Sequence, residues 1–105
     1  FDGLVYSFPA YEGDSAYAEL KERFTKKYGA DASEGAGFVS AYNAATVLFE
    51  TIASGALTGK EISTSIGNIS ISGIGVEELS FDENGQIKEA HFILKTIRDN
   101  TFVAI

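Results

Sequence analysis

The residues of this chain that could carry chemistry stand apart from one another. His91 is the only histidine among the 105 residues, and cysteine is absent. A zinc site gathers several histidine or cysteine ligands, and a catalytic triad places a histidine beside its nucleophile. No serine lies in a Gly-x-Ser-x-Gly pattern, and Glu77 and Glu78 would point to opposite faces of a strand. The sequence therefore predicts no enzyme activity, no metal site and no cofactor.

Two glycine-containing segments have a partial likeness to ligand-binding loops. Gly73-Ile74-Gly75 lacks the third glycine and the following helix of a phosphate-binding loop. Asp82-Glu83-Asn84-Gly85 lacks the Asp-x-Asp start and the distal glutamate of a calcium loop. Asn-Gly between extended segments is instead a strong hairpin signal. We therefore expect residues 76–81 and 89–97 to form two strands on either side of this turn.

Aromatic side chains are the remaining candidates for a functional site. They gather after the first apolar segment and beside a glycine-containing connector, at Tyr6, Phe8, Tyr11, Tyr17, Phe38 and Tyr42. Core packing accounts for most of them, because several recur at helical spacing. Aromatic residues at the mouth of an α/β sheet also line small-molecule clefts. We predict that Phe38, Val39 and Tyr11 contact a small ligand, with core packing as the alternative.

Three helices are predicted to position these residues. Asp14 or Ser15 caps the first helix, which runs to Tyr28 and is closed by Gly29. The second runs from Phe38 to Ser54, with a predicted buried stripe at Phe38, Ala41, Tyr42, Ala45, Leu48, Phe49 and Ile52. The capping box Thr58-Gly59-Lys60-Glu61 begins a short third helix. The connector Ala30–Gly37, rich in small residues, is the predicted hinge or crossover.

Strands are predicted at both ends of the chain. Phe1–Pro9 has the pattern of a strand that is already under way, and we expect it to have no partner strand within the chain. We therefore expect the chain to be the C-terminal piece of a larger protein. From Ile69 onward, alternating apolar residues predict further strands, with a turn at Arg98-Asp99-Asn100 before residues 101–105. A strand, three helices and then strands indicate an α/β fold with layers, in which a mixed sheet is flanked by helices and followed by a C-terminal β-hairpin.

Charge and hydropathy exclude some classes of partner. Eight Lys and Arg against 15 Asp and Glu give a formal net charge of −7. This balance repels phosphate backbones and anionic lipid, so nucleic acid is not an expected partner. No apolar stretch approaches the roughly 18 residues that a membrane span needs.

Four landmarks in order resemble the C-terminal third of type I periplasmic binding proteins, the branched-chain amino acid receptor group of ABC importers. They are Asp2-Gly3-Leu4-Val5 before a Pro-containing loop, Phe24-x-x-x-Tyr28, Ala41-Tyr42-Asn43-Ala44, and Gly75-Val76 followed by Phe81-Asp82-Glu83-Asn84-Gly85-Gln86. The third is similar to the family's Ala-Tyr-Asp-Ala, with Asn43 in place of the commoner Asp. Together they span nearly all 105 residues.

The resemblance implies two α/β lobes, joined by three crossovers, that close on a small solute. Residues 1–36 would belong to the C-terminal lobe, and 37–105 mostly to the N-terminal lobe with a return crossover. The family's ligand-contacting stretch falls on Phe38 and Val39. The resemblance implies a protein that captures an amino-acid-like solute, of the branched-chain kind, for an ABC permease in the membrane.

The resemblance also carries expectations about location and assembly. It implies a periplasmic or extracellular protein, with a lipid anchor possible through an upstream segment. The chain would need the missing N-terminal part, or would form a homo-oligomer or swapped dimer, to cover its sheet edge and apolar helix faces. The alternative function is a ligand-sensing regulatory or receptor domain, since one fold can serve both roles.

Overall fold

The computed structural model describes residues 1–31 and 36–105. In chain order the elements are β1 (Val5–Pro9), α1 (Ser15–Tyr28), α2 (Ala36–Ala53), α3 (Gly59–Ile66), β2 (Ile71–Gly73), β3 (Val76–Leu79), β4 (Phe92–Arg98) and β5 (Thr101–Ala104). The predicted α/β class is confirmed at this coarse level. Residues 32–35 of the predicted hinge lie outside the described residues, and Gly37 belongs to α2.

The described strands form two antiparallel sheets rather than the one mixed sheet that we expected. β4 lies between β1 and β5 in a three-stranded sheet, and β2 pairs with β3 in a second sheet. The register of the first pairing sets Val5 opposite Thr96 and Pro9 opposite Phe92. The prediction that the first strand lacks a partner is therefore wrong. Its partner lies far along the chain, where no connecting turn reveals the pairing.

The predicted turn at Asp82 is present, but the hairpin around it is not. The Asp82 carboxylate accepts hydrogen bonds from the backbone N–H groups of Asn84 (2.8 Å) and Gln86 (2.9 Å). The two flanking segments share one bridge, between Phe81 and Ile87, and then join different sheets. The C-terminal hairpin is β4–β5, whose turn residues Asp99 and Asn100 have φ of 49° and 58°. Two positive φ values match the right-handed twist of a two-residue hairpin.

The helix ends follow the predicted capping residues. The Asp14 side chain accepts a hydrogen bond from the Ala16 N–H (2.8 Å), and Gly29 closes α1 in the left-handed conformation with φ of 66°. Thr58 and Glu61 form the complete capping box of α3. α2 begins two residues earlier than predicted and ends one residue earlier, at Ala53.

The inward face of α2 differs from the predicted stripe. Val39, Val47 and Thr51 are buried, and Phe38, Asn43, Ala45 and Thr46 are half-buried. Of the predicted stripe, Phe38 and Ala45 are thus half-buried, whereas Ala41, Tyr42, Leu48, Phe49 and Ile52 are exposed. Hydrophobic periodicity missed part of the inward face because Asn43, Thr46 and Thr51 are polar. The Thr51 hydroxyl donates to the Val47 carbonyl at 2.7 Å, which satisfies it in the interior.

The chain exposes more surface than a compact monomer of its size. Its accessible surface is 7453 Å², whereas a compact 11.2 kDa monomer exposes about 5,700 Å². Its radius of gyration is 16.3 Å, against about 13 Å for a compact domain of about 100 residues. The excess surface includes the apolar side of α2 and several residues of the three-stranded sheet, such as Phe92, Leu94 and Phe102.

We predict that the N-terminus of α3 loses stability in acid through Glu61. The Glu61 carboxylate accepts hydrogen bonds from the backbone N–H groups of Leu57 and Thr58, and these bonds lower its pKa. Because the pKa is lower in the folded chain, the stabilisation is complete above the ordinary glutamate pKa and is lost as pH falls through the depressed value. NMR titration of the Leu57 and Thr58 amides should report this depressed pKa.

Replacing the carboxylate provides the control for this prediction. Glu61→Gln should remove the acid transition from both amides, because a neutral amide side chain does not titrate. Glu19→Gln, on the exposed side of α1, should leave it in place. An ordinary glutamate pKa at the Leu57 and Thr58 amides would contradict the prediction.

Candidate functional site

A cavity of about 240 Å³ opens where the end of β1, the start of α2, the β2–β3 turn and the start of β4 meet. Tyr11 and Val39 lie in its wall, and we call it the Tyr11–Val39 cavity. Ser40, Asn43 and His91 supply polar groups, and the other lining residues are mostly apolar. A small, mainly apolar space with a few polar groups is the usual composition of a small-molecule site.

The Asn43 side chain fixes one wall of the Tyr11–Val39 cavity. Its amide nitrogen donates to the Ile74 carbonyl at 3.0 Å, and its amide oxygen accepts from the Ile74 N–H at 2.9 Å. Both polar groups of one buried peptide residue are therefore satisfied by one side chain. An aspartate in the same place could accept the N–H but could not donate to the carbonyl. An asparagine at this position thus has a structural reason.

Asp14 holds the neighbouring residue of the same turn. One of its carboxylate oxygens caps α1, and the other accepts from the Gly75 N–H at 2.8 Å. Gly75 has φ of +75°, and a Cβ there would lie 2.8 Å from the carbonyl oxygen of Ala10. The glycine is required because the turn both adopts this backbone conformation and presses against the loop after β1.

Two of the three predicted ligand residues meet in the cavity. Tyr11 and Val39 come from the loop after β1 and from α2, and with Ile74 they form the buried apolar cluster of the fold. Tyr11 is 3% exposed, and its ring packs on Tyr17 at 4.9 Å and on Phe8 at 5.4 Å between centroids. Both residues therefore serve the core as well as the cavity wall.

Phe38 lies away from the other two predicted residues. Its ring meets Phe24 edge-to-face, with 5.5 Å between centroids, in a groove between α1 and α2. Phe38 lines this groove, whereas Val39, the next residue of α2, lines the Tyr11–Val39 cavity. The structure thus separates the adjacent pair that the resemblance placed together.

A second cleft, of about 480 Å³, lies on the other side of Tyr11. Tyr6, Phe8, Tyr17 and Phe102 form its aromatic lining. Lys95 of β4 enters it and is 6% exposed. Its ammonium lies 2.6 Å from the Glu12 carboxylate and 4.4 Å from the centroid of the Phe8 ring. We call this the aromatic cleft.

Lys95 is the site residue that sequence reasoning missed. Alternation along a strand sets Lys95 on one face with His91, Ile93 and Ile97, but this pattern indicates no partner for its charge. A lysine that shares one face of a strand with two isoleucines signals a buried charge. A buried ammonium group needs a carboxylate or an aromatic face beside it. Glu12 was not singled out, since it lies far away in sequence on a loop.

The described residues contain neither a cluster of metal ligands nor a helix that could span a membrane. Within residues 1–31 and 36–105, no three His, Cys, Asp or Glu side chains gather closely enough to hold a metal ion. His91 lies at the rim of the Tyr11–Val39 cavity, and its backbone carbonyl accepts from the Ala10 N–H at 3.1 Å. Among the helices in the described part of the chain, none combines the length and apolar character of a membrane span.

Comparisons of the chain with protein-family models, with curated proteins and with solved structures find no match. The resemblance in the sequence landmarks therefore stands on those landmarks alone.

We predict that Asn43→Asp destabilises the fold. The aspartate would leave the Ile74 carbonyl without its donor and would set a negative charge beside it, at a cost of about 1–3 kcal/mol. Urea denaturation followed by circular dichroism measures the change. Asn68→Asp is the matched control, because the Asn68 amide donates to a carbonyl in an exposed setting, at the end of α3. Equal losses in the two variants would contradict the role given to Asn43.

We predict that removing the Glu12 carboxylate destabilises the fold, because the Lys95 ammonium loses its partner. Glu12→Gln leaves a buried ammonium without its carboxylate, and we expect a loss of about 1–3 kcal/mol. The value stays below that of a fully buried pair because Glu12 is half exposed. The double variant Glu12→Gln/Lys95→Met should recover part of this loss in urea denaturation. A double variant that is less stable than Glu12→Gln alone would contradict this prediction.

Proposed function

We propose that this chain is part of the substrate-binding component of an ABC importer, of the type I periplasmic binding protein family. It would help to capture a small amino-acid-like solute, with a branched apolar side chain, in the cleft between two lobes. The ordered sequence landmarks support the family, and the coarse α/β class agrees with it. The proposal includes a periplasmic or extracellular location and delivery of the solute to a membrane permease.

The observation that carries the proposal is the meeting of Tyr11 and Val39 in one cavity. They come from distant segments, and the sequence predicts both as ligand residues. A volume of about 240 Å³ is below the usual 300–1,000 Å³ of sites for drug-sized ligands. It therefore suits the apolar part of a small solute better than a large cofactor. Ser40 and His91 at the same wall offer hydrogen-bonding groups to a polar end.

The proposed lobes divide the chain at residues 36 and 37. β1 and α1 would belong to the C-terminal lobe, and α2, α3, β2 and β3 to the N-terminal lobe. β4 would be the return crossover, since it runs beside β1 and brings the later part of the chain back to the earlier one. The Tyr11–Val39 cavity then lies between residues assigned to both lobes, which is where a closing cleft holds its ligand.

A thermal-shift screen of the protein containing this chain against the amino acids tests the proposal. We expect leucine, isoleucine or valine to raise the melting temperature, because a ligand at 100 times its dissociation constant stabilises by about 2.7 kcal/mol. No shift with any amino acid would overturn the proposed solute class. A shift in a protein whose gene encodes a signalling domain, rather than lying beside permease and ATPase genes, would favour the sensor alternative.

A cavity-filling variant connects the shift to the Tyr11–Val39 cavity. Ala90 lines the cavity and is exposed, so Ala90→Leu adds volume there without disturbing the core. We expect this variant to keep its own melting temperature and to lose most of the ligand-induced shift. Ala18→Leu, at an exposed position on α1, is the matched control and should keep the full shift. An unchanged shift in Ala90→Leu would place the ligand elsewhere.

A further inference from the structure

No strand among residues 1–31 and 36–105 pairs with the outer edge of β5. β5 is the last strand of the three-stranded sheet, with Thr96 opposite Val103 and Arg98 opposite Thr101. The Ile105 N–H donates to the Leu94 carbonyl at 3.0 Å. In an antiparallel pair, alternate residues turn both backbone groups toward the partner. Thr101, Val103 and Ile105 therefore face β4, and the N–H and C=O groups of Phe102 and Ala104 face the open edge.

The two edges of this sheet differ in how they resist further pairing. On β1 the alternation that sets Tyr6 and Phe8 toward β4 turns the backbone of Val5, Ser7 and Pro9 outward. Pro9 has no N–H, and a proline on an edge strand blocks the addition of another strand. β5 has no proline and no charged residue from Thr101 to Ile105. Its edge is the one open to pairing.

The side chains beside this edge are apolar and exposed. Phe102 is 64% exposed on one face of β5, and Ile105 is 61% exposed at its end. Val103 on the opposite face lies next to the exposed Leu94 of β4. An exposed, uncharged edge strand with apolar side chains is a template for another strand.

We propose that β5 pairs with β5 of a second copy of this chain, in antiparallel orientation about a two-fold axis at Val103. This register sets Phe102 opposite the second copy's Ala104 and Ala104 opposite its Phe102. Both residues turn N–H and C=O outward, so the register forms four hydrogen bonds and leaves neither residue unpaired. The two valines face each other across the axis. The two sheets become one of six strands.

Two observations favour a second copy of this chain as the partner of β5. They are the self-complementary pairing of its edge and the exposed surface area of the chain. A two-fold interface requires a patch that matches itself, and the Phe102–Ala104 segment does so. The chain exposes about 1,750 Å² more than a compact monomer of its mass. A standard interface takes about 800 Å² from each partner. The excess is larger than this amount, and part of it lies at Phe102, Val103 and Ile105 beside the proposed pairing edge.

Sedimentation velocity over a concentration series tests the proposal on the 105-residue chain. We expect a reversible monomer–dimer equilibrium that strengthens with added salt, because each copy carries a net charge of −7. Hydrogen exchange should slow at the Phe102 and Ala104 amides as the dimer fills. A chain that stays monomeric at every concentration, or a dimer that protects other residues instead, overturns the proposal.

Ala104→Pro is the specific variant, because it removes an outward N–H and leaves the inward ladder to β4 intact. It abolishes two of the four intermolecular hydrogen bonds, and we expect association to weaken at least about tenfold. Ala104→Val keeps the N–H and should keep the dimer. An unchanged dissociation constant in a folded Ala104→Pro chain overturns the proposal.

Val103→Lys provides an independent test if the Ala104→Pro variant does not fold. It sets two ammonium groups opposite each other across the axis, and should also give a monomer. Ser7→Lys adds the same charge at the β1 edge and should leave the dimer in place. A Val103→Lys chain that dimerises as well as the unmodified chain would also overturn the proposal.

Discussion

The backbone of Ile74 and Gly75 is bound by two helices at once, and the arrangement around it depends on those bonds. Asn43 from α2 pairs with both polar groups of Ile74, and Asp14 at the start of α1 accepts the Gly75 N–H. The turn between β2 and β3 is thereby joined to both helices. Buried peptide groups must find partners, so this turn cannot leave its place without breaking three hydrogen bonds. The Tyr11–Val39 cavity owes its wall to this constraint.

The Lys95–Glu12 pair connects the three-stranded sheet to the loop after β1 in a similar way. The Lys95 ammonium is buried and contacts the Glu12 carboxylate and the face of the Phe8 ring in place of water. These contacts hold it in the aromatic cleft. Tyr11 separates this cleft from the Tyr11–Val39 cavity and lines both. The two spaces therefore share one buried side chain.

Much of the remaining apolar surface is uncovered. The exposed stripe of α2 and the exposed residues of the three-stranded sheet contribute to this surface. The proposed function gives the chain neighbouring parts of a two-lobe protein. Pairing through β5 instead gives it a second copy. The two proposals use different elements, since the Tyr11–Val39 cavity is lined by β1, α2, β3 and the start of β4 and has no residue from β5.

Local signals in the sequence determined the helices and the tight turns. Asp14, Thr58 and Glu61 caps, the glycine after Tyr28 and the turn at Asp82 all depend on groups within a few residues of each other. The same is true of the turn at Asp99 and Asn100. Capping and turn geometry are decided by such short-range hydrogen bonds, and residue type alone is enough to indicate them.

The tertiary structure decided which strands pair, which side of α2 is buried and what surrounds Lys95. β1 pairs with β4, which lies most of the chain away, and α2 turns Asn43 inward against the hydrophobic pattern, because the distant Ile74 carbonyl accepts its side-chain N–H. Phe38 and Val39 were adjacent candidates in the sequence and became members of different sites. These outcomes rest on contacts between distant residues, and a one-dimensional pattern contains no record of which distant groups need each other.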